Sequence, residues 1–322
     1  MNKRLARWSA TGMCEEERKE SMKKILVTGG TTFVSKYTAA YFVKRGYEVS
    51  VLNRGSRKQI DGVIHLQGDR HDAAALLKDK KFDIILDITA YTADDINDFV
   101  PTLDGFSQYI MVSSSAVYPE TEPQPFLEDT VLGPNRYWGF YGTNKIAAEK
   151  ALLAQVEDAY IVRPPYLYGP MNNVYREAFV FDCAMEDRPF YLPKDGQMKM
   201  QFFMVGDLCR FFEILIKEKP QEHIFNVGNK ESVSVKDWVT ACYACLKKVP
   251  EFIEVHEELE QRMYFSFYDY EYALDVAKQE RLLGDTLPLA DGLQAVYEWY
   301  RDHRDEVMRK PYLQFIDEHF AD

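Results

Sequence analysis

Short β-branched runs alternate with helical patterns through the first half of the chain, and that alternation predicts βαβ units built on a parallel sheet. Lys24-Ile25-Leu26-Val27-Thr28 reads as a first strand, Phe33 to Arg45 as a helix stopped by Gly46, and Tyr47 to Leu52 as a second strand. Further strands are expected at Val63 to Leu66, Phe82 to Leu86, Tyr109 to Val112 and Ala159 to Val162, with helices at Asp72 to Lys78, Ala93 to Leu103 and Tyr141 to Val156. Parallel strands need crossover helices, so an α/β fold with a doubly wound parallel sheet is expected. After Arg163 the pattern loosens. Pro164-Pro165, Gly169-Pro170 and Pro189 interrupt it and aromatic residues crowd in. A large domain over residues 22–165 and a smaller lobe over 166–322 follow. A helix at Asp207 to Lys217 and a strand at His223 to Val227 carry the chain back to the large sheet near 200–228.

Length changes this picture little: 322 residues suit one large domain or two coupled lobes. Charge changes it more. The 51 acidic residues against 39 basic ones leave −12, a field that repels phosphate backbones and argues against a nucleic-acid partner. No apolar run approaches the ~20 residues a bilayer needs, so no membrane partner is expected. Residues 1–21 carry mixed charge and no apolar core. They read as a disordered extension before Met22 rather than a secretory signal, which places the protein in the cytoplasm. The five cysteines are scattered and imply no disulfide framework. Cys242 and Cys245 form a CxxC on a predicted helix, Asp237 to Lys247, without a second ligand pair; they read as small core residues, and no metal site is expected.

Candidate chemistry begins at the first strand–helix junction. In Thr28-Gly29-Gly30-Thr31-Thr32-Phe33-Val34-Ser35, glycines would let backbone approach a pyrophosphate at a helix N-terminus, as in a Rossmann-type fold. Only the first glycine of a TGxxGxxG pattern is kept, with Thr32 and Ser35 at the other two positions. The second strand ends in Asn53-Arg54, where an acidic residue would bind the ribose of NAD. A guanidinium there can pair with a 2′-phosphate, so NADP is favoured over NAD. Gly68-Asp69-Arg70 follows the third strand, with Asp69 placed to accept from an adenine amino group.

Tyr141 and Lys145 lie four residues apart, on one face of a helix. A free phenol titrates near 10, and a neighbouring ammonium would lower it toward neutrality. Ser114, in the run Ser113-Ser114-Ser115 at the end of a strand, can hold a substrate oxygen while Tyr141 moves the proton.

These motifs, with Arg163-Pro164-Pro165-Tyr166-Leu167-Tyr168-Gly169-Pro170, Phe203 to Leu208 and Phe225-Asn226-Val227-Gly228, resemble the NAD(P)-dependent epimerase/dehydratase family of extended short-chain dehydrogenases. The Gly-Gly-Thr-x-Phe turn and Asn53-Arg54-Gly55 are similar to a subgroup that includes the chloroplast stem-loop-binding proteins. The resemblance implies a smaller C-terminal substrate-binding lobe and Ser114, Tyr141 and Lys145 as the catalytic set. It implies that Ile88, Thr89, Ala90 and Tyr91 line the dinucleotide, that Pro164 and Pro165 sit near the nicotinamide, and that a sugar or nucleotide-sugar carbinol is the substrate. Tyr91, Ser115, Tyr166, Asn172, Asn173 and Arg176 are the candidate substrate contacts. The family's paired helices imply a homodimer. Two departures weaken the nucleotide-sugar expectation: Met200 stands where an Arg often holds the diphosphate, and Tyr166 where Asn is common. No Asp-Glu pair follows Ser114, which favours an epimerase or reductase over a dehydratase. The alternative is a Rossmann protein that binds RNA or senses redox cofactor. The aromatic stretch Tyr264 to Tyr272 reads as packing between the lobes, with stacking on a ligand as its other reading.

Overall fold

The computed structural model describes residues 22–320, so the expectation for residues 1–21 lies outside the described residues. Seven strands make the main sheet: β1 (Lys24–Thr28), β2 (Glu48–Asn53), β3 (Ile64–Gln67), β4 (Ile84–Asp87), β5 (Gln108–Val112), β6 (Tyr160–Arg163) and, after four short strands elsewhere, β11 (Ile224–Asn226). They pair in parallel in the order β11-β6-β5-β4-β1-β2-β3. The order reverses beside β1, which opens a crevice at the carboxyl ends of β1 and β4.

Interior strands covered on both faces are continuous apolar runs, as in Ile25-Leu26-Val27 and Ile84-Ile85-Leu86. Alternate residues feed opposite layers. Ile25 and Val27 pack with Phe42 of α1 (Phe33–Lys44), and Leu26 packs in a layer with Leu77 of α2 (Ala74–Leu77) and Ile96 and Phe99 of α3 (Ala93–Phe99). Leu152 of α4 (Phe140–Gln155) joins this second layer. The expected helices at Asp72 to Lys78 and Ala93 to Leu103 are shorter in the structure. The second ends at Phe99 because Pro101 converts its continuation into a 3₁₀ turn, Val100–Thr102.

The remaining elements form an aromatic-rich core beside the sheet: β7 (Tyr166–Tyr168), α5 (Glu177–Met185), β8 (Phe190–Pro193), β9 (Lys199–Met200), β10 (Phe202–Met204), then α6 (Val205–Glu218), which returns to the sheet, β12 (Val233–Ser234), α7 (Val235–Ala244), β13 (Phe252–Val255), α8 (Ala277–Leu283), α9 (Leu289–Asp302) and α10 (Tyr312–His319). Asp182, fully buried on α5, accepts from Tyr175 and Tyr300 at 2.8 Å each and pairs with Arg304 and Arg309, tying α5 to the C-terminal segment. Cys242 is buried on α7 and burial pushes both its thiol and that of Cys245 up, to about 11 at Cys245; neither is an activated thiol. No described helix is long and apolar enough to cross a membrane.

Candidate active site

The turn after β1 is shaped by its two glycines. Gly29 and Gly30 both adopt φ of +93°, and a Cβ would lie 2.7 Å from Ser35 Oγ at the first and 2.7 Å from Val51 Cγ1 at the second. Asn53 holds this turn: its Nδ2 donates to Gly29 O at 2.6 Å, while its Oδ1 accepts from Gly55 N and Gln59 Nε2. A hollow of ≈ 430 Å³ opens beside the turn, bordered by Gly29, Asn53, Arg54, Asp69, Arg70, His71, Thr89 and Tyr91. Arg54 is exposed there, and Asp69 caps the 3₁₀ turn Arg70–Asp72 by accepting from His71 N at 3.0 Å.

Two residues expected to bind cofactor through their side chains are committed elsewhere. The Asn53 amide is spent on the turn. The Arg70 guanidinium grips Asp87 with bonds of 2.7 and 3.1 Å, because Asp87 is fully buried at the end of β4 and needs a counter-charge. Burial pushes Asp87 up, but Arg70, Tyr109 and Thr28 outweigh it and hold the carboxyl below its ordinary range. The same Thr28 hydroxyl accepts from the Ile88 and Thr89 amides at 2.9 and 3.1 Å, fixing that segment against β1. Ile88 is buried and does not border the hollow; Thr89 does. His71, bonded to Asp98 at 2.7 Å, borders it too, and no sequence motif marks it.

A second cavity of ≈ 520 Å³ meets the first at Tyr91, which borders both. Phe33 and Val34 at the start of α1 form one wall, Pro164 and Pro165 another, and Ser113, Ser114, Ser115 and Tyr141 face it between them. Phe33, at φ +30°, is a non-glycine residue in a strained backbone region, as is common where a ligand is held. Thr32 lies before α1 without capping it, and Thr31 faces a neighbouring basic cleft with Lys36, Lys44, Arg57 and Lys58 instead of either cavity.

Ser114 ends the segment after β5, its Oγ accepting from Ala116 N at 3.2 Å, and it lines the same cavity as the Tyr141 phenol, whose pKa its hydroxyl lowers. Close approach of α4 makes this possible: a Cβ on Gly142 would lie 2.2 Å from Ala116 O. The flanking serines are bound elsewhere. Ser113 donates to Glu149, which is locked to Arg163 at 2.6 Å, and Ser115 donates to Tyr272 at 3.0 Å.

Lys145 is anchored through backbone carbonyls. Its Nζ donates to Ala90 O at 2.6 Å and Val112 O at 2.9 Å, and lies 4.6 Å from the Tyr91 ring centroid. Burial pulls its pKa down to about 8. Burial likewise raises the Tyr141 phenol above its usual value. The Ser114 hydroxyl and the charge of Arg176 act the other way. Helical spacing puts Tyr141 and Lys145 on one face, and the ammonium there is bound by the carbonyls of Ala90 and Val112.

Tyr166 and Arg176 also line this cavity, with Tyr137, Trp138, Arg262, Ser266, Phe267, Tyr268 and Tyr272. Asn172 and Asn173 are not brought there. Asn172 is buried, donating to Glu177 and accepting from Val174 N, and Asn173 O accepts from Met308 N, so both shape the loop. Met200 is buried and Gln201 is bonded to Asn229 O and both polar atoms of Leu274, leaving neither facing the cavity. The aromatic stretch divides between its two readings: Phe265 and Tyr264 pack, whereas Phe267, Tyr268 and Tyr272 line the cavity. Among the described residues no cluster of His, Cys, Asp and Glu could hold a metal.

Residues 25–228 match the model of the NAD dependent epimerase/dehydratase family. The chain is 29% identical over 304 residues to the chloroplast stem-loop binding protein of 41 kDa b of Arabidopsis thaliana, covering 86% of this chain and 79% of that one. It is 24% identical over 258 residues to a dTDP-glucose 4,6-dehydratase of Streptomyces griseus, covering 76% and 73%. A crystal structure of a UDP-glucose 4-epimerase with UDP-glucose from Thermotoga maritima superposes with a TM-score of 0.70 at 18% identity, over 87% of this chain and 99% of that one.

Proposed function

The chain belongs to the NAD dependent epimerase/dehydratase family, and from that premise we propose that it is a nicotinamide-dinucleotide-dependent enzyme acting on the carbinol carbon of a nucleotide sugar, as an epimerase or reductase. The observation that carries this reading is the pair of cavities joined at Tyr91, one beside the glycine turn and the other holding Ser114 and Tyr141. Their residues fit a dinucleotide. A Cβ at Gly29 would meet Ser35 and Thr89 and one at Gly30 would meet Val51, so only glycines fit this turn, and Pro164, Pro165, Phe33 and Val34 give the second cavity an apolar wall. Gly29, Gly30, Thr89, Arg54 and Asp69 would hold the adenosine and phosphate half, with Ser114 and Tyr141 at the reacting end.

When bound, the nicotinamide exchanges a hydride with the substrate carbon. Tyr141 moves the hydroxyl proton and Ser114 holds the same substrate oxygen. Burial keeps the phenol protonated, so Tyr141 is set as a donor to a carbonyl oxygen. The Ser114 hydroxyl and the Arg176 charge lower the cost of the reverse step. Lys145, pinned to the carbonyls of Ala90 and Val112, ties the segment after β4 to the end of β5 beside the serine run. Exposed Arg54 supports a preference for the 2′-phosphate of NADP. A homodimer, from the family resemblance, and a cytoplasmic location, from the sequence alone, belong to the same proposal. The RNA-binding alternative is not favoured: it rests on a relative's name and has the net charge against it.

Mass spectrometry of small molecules released from the purified chain tests the reading. Release of NAD or NADP is expected; a chain that binds neither at millimolar concentration would overturn it.

A further inference from the structure

No Asp or Glu lines the cavity that holds Ser114 and Tyr141, yet two arginines, Arg176 and Arg262, do. In a chain of net charge −12 this is a local inversion of sign. Neither guanidinium is paired with a carboxylate among the described residues. Arg176 makes one long bond, 3.5 Å to Leu167 O, and otherwise lies over two rings, 5.1 Å from Tyr166 and 5.4 Å from Phe267. Its chain neighbour Glu177 forms no ion pair with it: that carboxyl accepts from Asn172, and although the Arg176 charge pulls it down, burial outweighs this and pushes it up toward the neutral form. A cation among aromatic faces is partly compensated by their quadrupoles, but its donors remain free for an anion.

A second observation points to the same spot. The Tyr166 side chain lines the cavity, and its hydroxyl is buried without a hydrogen-bond partner. Buried hydroxyls are nearly always satisfied, so an orphan on a residue that lines a cavity marks a place where a ligand atom belongs. Tyr166 packs 5.7 Å from Tyr272, whose hydroxyl receives the Ser115 bond. The pair is therefore one aromatic layer from the serine run. Arg262 also borders the surface hollow containing Lys194, Glu257 and Asp269.

We propose that Arg176 and Tyr166 together recognise a carboxylate on the sugar ring of the substrate, close to the reacting carbon, and so select an acidic nucleotide sugar over a neutral one. A planar guanidinium fork beside a hydroxyl donor matches the two oxygens of a carboxylate. The packing of Tyr166 one ring from the serine run assigns that anion to the sugar, and Arg262, which donates to Ser266 O and also borders the surface hollow, is left for the nucleotide phosphates. This inference rests on the placement of Ser114 and Tyr141 at the reacting end.

Calorimetric binding of UDP-glucuronate, UDP-glucose and UDP to the full chain with saturating NAD tests it. The two sugars differ only at the C6 carboxylate. The wild type should bind UDP-glucuronate about tenfold more tightly than UDP-glucose, and Arg176→Gln should erase that advantage while changing UDP affinity by less than about threefold. Tyr166→Phe should narrow the advantage without removing a charge. Equal affinities for the two sugars would overturn the proposal, as would an Arg176→Gln variant that loses UDP as strongly as UDP-glucuronate, since the anion would then be the diphosphate. Failure of all three ligands on a chain that still binds NAD would overturn the nucleotide-sugar reading along with it.

Discussion

Tyr141 and Lys145 show how one spacing can serve two separate tasks. The phenol reaches the cavity and Ser114; the ammonium is drawn to the carbonyls of Ala90 and Val112. Tyr141→Phe should lower turnover by about 10²–10⁴-fold while leaving dinucleotide affinity near that of the wild type, as steady-state rates and a fluorescence titration would show. A pH effect belongs to Lys145. Burial disfavours its charged form, so the folded chain gives up that proton near pH 8, well before a free lysine would. Above about pH 8 the charge that grips the two carbonyls is lost, and activity should fall on an alkaline limb that Lys145→Met abolishes. The same shift affects stability in the opposite sense. Between pH 8 and the ordinary lysine range the unfolded chain binds more protons than the folded one, so this group's contribution to stability rises with pH. Arg54→Ala should weaken NADP by about tenfold and leave NAD almost unchanged.

At the level of elements, the site depends on how closely α1 and α4 approach the sheet. Gly30→Ala would force a Cβ to 2.7 Å from Val51 Cγ1 at φ +93°, so it should weaken dinucleotide binding by about tenfold or more, read by titration of NADH fluorescence. The α4–β6 contact carries a buried ion pair, Glu149 with Arg163, that also takes the Ser113 hydroxyl. Glu149→Gln leaves the guanidinium buried without its partner and should cost about 3–5 kcal/mol in urea unfolding. The glycine turn and the β5–α4 pairing were legible in the sequence because each is local: a few residues at fixed spacing dictate a turn or a helix face. Asn53 and Arg70 were legible as positions but not as roles. What they touch, Gly29 O and Asp87, lies on other strands.

Across the whole molecule, the cavity is closed by residues far apart in the chain. Tyr91 comes from the loop after β4, Tyr166 and Arg176 from around β7, and Arg262 to Tyr272 from the segment between β13 and α8. The C-terminal part is held to α5 through Asp182, a buried carboxylate that satisfies two phenols and two arginines. Asp182→Ala should strand both buried hydroxyls and lower stability by about 3 kcal/mol, with loss of substrate affinity because the cavity wall moves with that segment.

By itself the sequence determined the parallel doubly wound sheet, the glycine turn, and the presence of Ser114 and Tyr141 at the ends of neighbouring elements. Strand alternation, turn chemistry and helical spacing act within a few residues and are written in the chain directly. Only the tertiary structure decided that Lys145 grips two carbonyls, that Asn172 and Asn173 shape a loop, and that two arginines without a carboxylate partner among the described residues face a cavity that no described acid lines. Those outcomes turn on which buried charge or orphan polar atom finds a partner across the fold, and burial raises the cost of every wrong pairing.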